Sequence, residues 1–476
     1  MDRRPYMYNK VNPSIIDELK QIAGSSHVFT EQGDLVDYSH DEYSLDDIAA
    51  FPEAAVKPSN TKQVSEIIRL CSRNQIPLTA RGSGTGLCGA CVPSFGGIVL
   101  TFENMHRILE IDTQNLTSTV EAGLMLRDFY PAIEEKGLFF PPHPGDESAT
   151  IGGVIATNAG GARAVKYGVI RNFITGIEVV LPNGEIVHFG GKFVKNSTGY
   201  SLMHLMIGSE GTLGLVTGAT IALMAPPKEI MTLVVPYNSL HDAIGTVPAI
   251  IENKILPMAV EFLDRETAML SAEHLNKTWP CTQGKAHLMI IVDGSNEDEV
   301  MNLAETIGNV CMAHNALDVF AADTQTKQRD ILDIRSSIYE AMRNYMLEIL
   351  DITVPRSQIA RFVEAVDQVA EENGMWLPTY GHAADGNVHT HLMRYRWLEG
   401  EWVETENWEE KYPIARKRLH ELGKKYQGIC SGEHGIGIVK KEYLKSFLEP
   451  SQIELMRGIK QTFDPGGILN PGKIFD

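Results

Sequence analysis

Cysteine is scarce in this chain: six thiols, Cys71, Cys88, Cys91, Cys281, Cys311 and Cys430, are scattered over 476 residues. A disulfide framework would need them denser, so they read as reduced thiols of a cytosolic protein. Cys88 and Cys91 form a C-x-x-C, but no second pair and no thioredoxin-like βαβ pattern accompanies it. The cysteine clusters that hold iron–sulfur centres are missing as well. Long apolar runs are also lacking. No stretch approaches the ~18 apolar residues of a membrane span, and the N-terminal MDRRPYMYNKV has no apolar signal-peptide core. The expected location is therefore the cytoplasm. Positive charge is in deficit, with 42 Lys and Arg against 61 Asp and Glu and a net charge of −19. That leaves no basic stripe for a nucleic acid. An acidic substrate would need local arginines or a metal to overcome the field of the whole molecule. There is no internal repeat and no low-complexity segment.

What the chain does have is glycine in three concentrated places. The densest is Pro141 to Gly161, PPHPGDESATIGGVIATNAGG, with five glycines and little charge. Small residues at that density let backbone approach a ligand closely and leave N–H groups free to cradle phosphate. Its Ser148-Ala149-Thr150 reads as a cap leading into a short helix. A second loop, Arg81-Gly82-Ser83-Gly84-Thr85-Gly86-Leu87-Cys88-Gly89, contains a formal G-x-G-x-x-G at Gly84, Gly86 and Gly89. A dinucleotide-binding loop must open a helix, whereas here Pro93, Gly96 and Gly97 lead at once to another strand, so we read a strand-to-strand phosphate nest. The third loop runs from Gly208 to Gly214.

A chain of this length implies about two or three domains. The stretch 1–51 reads as an N-terminal cap. From Val56 to about Pro227 come a capped helix, paired strands and a Pro-Asn-Gly hairpin, a unit set at 52–227. Beyond Pro226-Pro227, strands alternate with longer helices over 228–425, which suggests an antiparallel sheet with helices packed on one face. Residues 426–476 form a closing segment that returns to the glycine loops.

The titratable chemistry gathers in the last quarter. His382 and His389 flank an Asp385-Gly386-Asn387 turn, and His391 follows on the same strand face. Glu433-His434 comes later, between glycines. Two imidazoles and one carboxylate suit a divalent transition metal with open positions, which the hydroxyl and carboxylate oxygens of a 2-hydroxy acid could fill. A lone loop histidine is ordinarily a hydrogen-bonded structural residue; four from His382 to His434, set among glycines, point to a site.

These segments carry a resemblance. PLTARGSGTG, PGDESATIGG, ATNAGG and GSEGTLG resemble the FAD-binding domain of the vanillyl-alcohol-oxidase (PCMH) flavoproteins. YGHAADGNVH, SGEHGIG and FDPGGILNPGK resemble the C-terminal domain of FAD-linked oxidases. Together they are similar to the subgroup containing D-lactate dehydrogenase, the glycolate oxidase flavin subunit and D-2-hydroxyglutarate dehydrogenase, over nearly the whole chain. The resemblance implies an α+β fold in which a PCMH-type FAD-binding domain of two subdomains precedes a substrate domain built on an antiparallel sheet covered by helices. It implies flavin contacts at Arg81, Gly82, Ser83, Gly84, Thr85 and Gly86. Further contacts are implied at Pro144, Gly145, Asp146, Ser148, Thr150, Gly152, Gly153, Asn158, Gly160 and Gly161, at Glu210 and Gly211 on the ribityl and adenine side, and at Val216 and Asn470. His382, His389 and Glu433 fall on the positions of ligands to a divalent metal (zinc, manganese or iron). His434 falls on that of the catalytic base and Arg335 on that of an arginine gripping the substrate carboxylate, with His391 beside them as a third catalytic candidate.

His391 departs from the 2-hydroxyglutarate enzymes, where an asparagine is usual. With no cluster of extra basic residues, this favours D-lactate, then glycolate, over a dicarboxylate. The implied reaction is oxidation of a 2-hydroxy acid to a 2-keto acid. The FAD is expected to be non-covalent, since the first glycine loop has no histidine to link it. Electrons are expected to leave through a protein partner, an electron-transferring flavoprotein before a separate iron–sulfur subunit. The alternatives are a flavin-bearing electron-transfer subunit without its own substrate, and an enzyme like alkyl-glycerone-phosphate synthase.

Overall fold

A computed structural model describes residues 7–475 except Ser44 and Asp323. Asn60 caps the helix Thr61–Asn74 by accepting the Gln63 N–H at 3.1 Å. A helix this short is marginal alone, but it buries Ile67, Ile68 and Leu70, each contributing about 1.5–3 kcal/mol of packing. It lies on a four-stranded sheet of β1 (Val28–Phe29), β2 (Ala54–Val56), β3 (Leu78–Arg81) and β4 (Ile98–Thr101), ordered β1-β2-β4-β3. The stretch expected to be a cap is part of this layer. Asn12 caps the helix Pro13–Ala23, whose Ile15, Leu19 and Ala23 enter the same core, and β1 pairs with β2.

A second layer is the antiparallel sheet β5-β6-β9-β7-β8, made of β5 (Ile108–Asp112), β6 (Thr117–Glu121), β7 (Ile174–Val180), β8 (Ile186–Gly190) and β9 (Leu215–Ala222). Its apolar face packs on the helix Leu126–Glu134 and the helix Ile151–Thr157.

The chain then enters an antiparallel sheet of seven strands: β10 (Glu229–Tyr237), β11 (Ala259–Asp264), β12 (Ala286–Gly294), β13 (Phe320–Ala322), β14 (Met346–Thr353), β15 (Thr379–His382) and β16 (Asn387–Met393), ordered β13-β10-β12-β11-β15-β16-β14. Helices cover both faces of this sheet, not the one expected. Leu233, Val235, Leu288 and Ile290 face one core with the helices Leu240–Glu252, Glu297–Ala313 and Ile359–Asn373. Val234, Met289 and Ile291 face a second core with the helices Arg265–His274 and Gln325–Ser336. Continuous apolar runs such as LMIIV are what strands buried on both sides require. Leu469 finally bridges Leu78 of β3, returning the chain to the first sheet. Among the described residues no helix is long and apolar enough to cross a membrane.

Candidate active site

The seven-stranded sheet faces the two smaller ones across a cavity of about 1290 Å³. Its volume exceeds the usual ~300–1,000 Å³ of a ligand pocket and so suits a large cofactor together with a small substrate. The glycine loops line one side. Of the residues implied in cofactor binding, all but Asn158 and Gly160 lie on the cavity wall. A side chain at Gly82 would put its Cβ 2.3 Å from Thr150 Oγ1, so only glycine lets the two loops meet. Arg81 folds beneath its own loop, donating to the His40 carbonyl at 2.6 Å and to Cys91 Sγ at 3.2 Å. Thr150 caps the helix Ile151–Thr157 through the Gly153 N–H. Asn158 ends that helix in a left-handed turn and accepts the Arg171 N–H, a structural position off the cavity.

Glu210 belongs to both halves. Its two carboxylate oxygens accept the N–H groups of Ile436 and Gly437, each at 2.7 Å. Its backbone carbonyl accepts Asn470 Nδ2 at 2.6 Å. Burial raises its carboxyl pKa, and the two N–H groups pull it back. The SGEHGIG loop is thus fastened to the glycine-loop side through one side chain. Gly160 makes the contact tighter still: a Cβ there would lie 2.6 Å from Glu433 Oε2.

Opposite the glycine loops, four neighbouring strands, β11-β15-β16-β14, present the titratable side chains on one face. Register sets His382 across from Glu261, and His389 across from both Tyr380 and Asp351. Glu433 Oε1 lies 3.5 Å from His382 Nε2, 3.2 Å from His389 Nε2 and 3.8 Å from His434 Nε2. His382 Nδ1 is 2.7 Å from Glu261 Oε1, while its Nε2 is buried without a hydrogen-bond partner. An imidazole whose Nδ1–H is held by a carboxylate offers its Nε2 lone pair, the arrangement of a metal-bound histidine. Burial opposes charge on both His382 and Glu433. Glu261 and Glu433 nevertheless raise the His382 pKa, and the two histidines hold Glu433 well below the usual carboxylate range. The field that favours a proton between them equally favours a divalent cation, and the three donors lie within 4.8 Å of one another. These residues fit a metal.

Asp351, His389 and His434 are as close together, but Asp351 is already engaged. It accepts the N–H groups of Gly432, Glu433 and His434 at 2.9–3.0 Å, the Ser431 hydroxyl at 2.8 Å and Asn387 Nδ2 at 2.6 Å. Asp351 is the peg on which the Glu433-His434 loop hangs. Burial would raise its pKa, but His434, Lys440 and His389 hold it low. Burial takes the His434 imidazole down to about 4 although Asp351 pulls the other way.

Arg335 lines the cavity from the end of the helix Gln325–Ser336. It lies over the Tyr380 ring at 4.6 Å and pairs with Glu261 Oε2 at 2.5 Å. Arg356, another arginine of this region, is exposed and off the cavity. His391 is also off the wall. It is wholly buried, shares a hydrogen bond of 2.9 Å with the Tyr380 hydroxyl, and burial takes its pKa down to about 3. Sequence reasoning did not find Glu261, Asp351 or Tyr380. The trace the two acids leave is a carboxylate between apolar neighbours in a strand, Glu261 in AVEFLD and Asp351 in LEILDITV.

A family model described as an FAD binding domain matches residues 52–190, and one described as the C-terminal domain of FAD linked oxidases matches residues 226–474. The chain is 44% identical over 420 residues to a D-lactate dehydrogenase of Archaeoglobus fulgidus, covering 88% of this chain and 90% of that protein. It is 38% identical to a glycolate oxidase subunit of Bacillus subtilis, covering 98% and 97%. The solved structure of p-cresol methylhydroxylase superimposes with a TM-score of 0.79 over 99% of each chain at 18% identity, a likeness of fold.

Proposed function

The chain belongs to the FAD-linked oxidases, and from that premise we propose that it oxidises a small D-2-hydroxy acid, D-lactate before glycolate, to the 2-keto acid. One observation carries this: a single cavity joins the glycine loops of the FAD-binding half to His382, His389, Glu433, His434 and Arg335. The relatives named for D-lactate and glycolate chemistry cover nearly the whole chain, which supports the same substrate class.

When bound, FAD supplies the two-electron acceptor, and a divalent metal (zinc, manganese or iron) supplies a Lewis acid beside the substrate hydroxyl. His382, His389 and Glu433 would hold that metal. Arg335 binds the substrate carboxylate, with the Tyr380 ring 4.6 Å from its guanidinium carbon. His434 takes the hydroxyl proton on Nε2. A pKa near 4 leaves it neutral at pH 7, so it is free to act as a base. Asp351 holds the His434 backbone in place. Ile349 and Leu332 give the same cavity apolar wall, which suits a methyl group or hydrogen on the substrate better than a second carboxylate.

The FAD is held without a covalent link. The first glycine loop has no histidine, and burial raises the Cys88 and Cys91 thiols, the latter to about 11, so neither is a ready nucleophile. A separate soluble protein, an electron-transferring flavoprotein before an iron–sulfur subunit, would accept the electrons. Anaerobic addition of D-lactate, L-lactate and glycolate in turn tests the reading by bleaching of the flavin absorbance. D-lactate should bleach fastest, and an enzyme bleached by none of the three is not of this class.

A further inference from the structure

Resting on the assignment of His382 to the metal and Arg335 to the substrate carboxylate, we propose that Glu261 is the positioning residue that joins the two, one oxygen fixing each. It sits in the middle of β11 with no exposure to solvent. Its same-face strand neighbours are Ala259 and Leu263, both fully buried in an apolar core. A carboxylate in such a place persists only if it is paired, and an ordinary core position there would be apolar. Its partners are His382, whose Nδ1 is hydrogen-bonded to Oε1 at 2.7 Å, and Arg335, whose Nη2 lies 2.5 Å from Oε2 as a charge pair not aligned for a hydrogen bond. Both partners line the cavity, and Glu261 itself does not. It acts through others.

Two consequences follow. The first is geometric. The carboxylate is rigid, so the metal-facing Nε2 of His382 and the guanidinium of Arg335 are set at one fixed separation. The second is electrostatic. A divalent cation and Arg335 bring three positive charges and Glu261 and Glu433 two negative ones, while Asp351 and Lys440 offset each other as a buried pair 3.4 Å apart. Glu261 thus lowers by one unit the positive charge that the metal and Arg335 present to a substrate. Glu261 thereby sets the site for monoanions over dianions.

The experiment uses the FAD-loaded enzyme and its E261Q and E261D variants. Metal affinity is read by competition with a chelator, KM and kcat with D-lactate, and inhibition by oxalate, a dianion, relative to acetate. E261Q should weaken metal binding about 10–100-fold, the range seen when a ligand's carboxylate support is lost. It should also raise KM for D-lactate and shift inhibition toward oxalate, which a merely structural role would not move. E261D, one methylene shorter, cannot span both partners and should not restore the wild-type values. Metal affinity, KM and oxalate preference all within about twofold of wild type in E261Q would overturn the proposal. Should E261Q fail to fold, E261Q/R335M removes both charges of the pair and is compared with R335M alone. Equal metal affinity in those two would also overturn it. Failure of the underlying assignment shows separately, as wild-type protein that holds no divalent metal or is not bleached by D-lactate.

Discussion

Arg335 does not stand alone in its pocket, because Glu261 pairs with it and the Tyr380 ring lies against it. A lysine keeps the charge but neither the fork nor the flat face, so Arg335→Lys should lower kcat/KM for D-lactate by about 2 kcal/mol or more. Arg356→Lys, at an exposed position, should leave it unchanged. Steady-state kinetics of the two variants checks both, and a loss at Arg356 alone would move the carboxylate-binding role there. A different histidine reports on stability. His420 is buried and stacked on Tyr443 at 3.6 Å, and burial, with Arg416 and Lys440 nearby, takes its pKa down to about 3. The unfolded chain takes a proton there near the ordinary pKa of about 6.5, while the fold refuses it. Its stabilising share is therefore whole above about 6.5 and drains away as pH falls toward 3. His420→Phe keeps the stack without the titration. It should lose on the order of 2 kcal/mol less than wild type between pH 7 and pH 5, measured by urea unfolding. At this scale the histidines and Glu433 were legible because they sit in short polar motifs among glycines. Glu261 was not: its histidine partner is 121 residues away, and an acid between apolar strand neighbours names no partner.

Among the elements, the glycine-rich stretch from Pro141 to Gly161 serves two layers. Its early part lines the cavity, and its last turn lets Glu433 approach. Gly160→Ala would place a Cβ 2.6 Å from Glu433 Oε2 and push that side chain aside. The variant should keep its FAD yet bind a divalent metal more weakly and turn over more slowly, as read by bound flavin, metal analysis and kcat. Unchanged metal content would place Glu433 outside the metal site. Strand and loop patterns were readable here: the strand IVLTF follows the G-x-G-x-x-G where a dinucleotide loop would need a helix. Coverage of the large sheet was misread. Runs such as TLVV carry side chains to both faces, and alternation alone does not show a second layer of helices. The N-terminal stretch was misplaced for a related reason: the two-residue strand β1 is too short to show any period.

For the molecule as a whole, the net charge of −19 sets the terms of encounter. An electron acceptor that meets this surface does so fastest with complementary charge, and the rate falls as salt screens it. Given D-lactate, the purified chain should reduce an artificial dye and form negligible NADH, since the G-x-G-x-x-G lacks its helix. Steady NADH formation with no second protein present would overturn the separate-acceptor proposal. Asn470 adds a constraint of another kind. Its side chain receives the Ala80 N–H and donates to the carbonyls of Glu210 and Ala90, closing a wall whose other members lie far earlier in the chain. A ribosome delivers it last of all the residues that surround the cavity. A product clipped before Asn470 would lack that closure and leave synthesis empty and colourless.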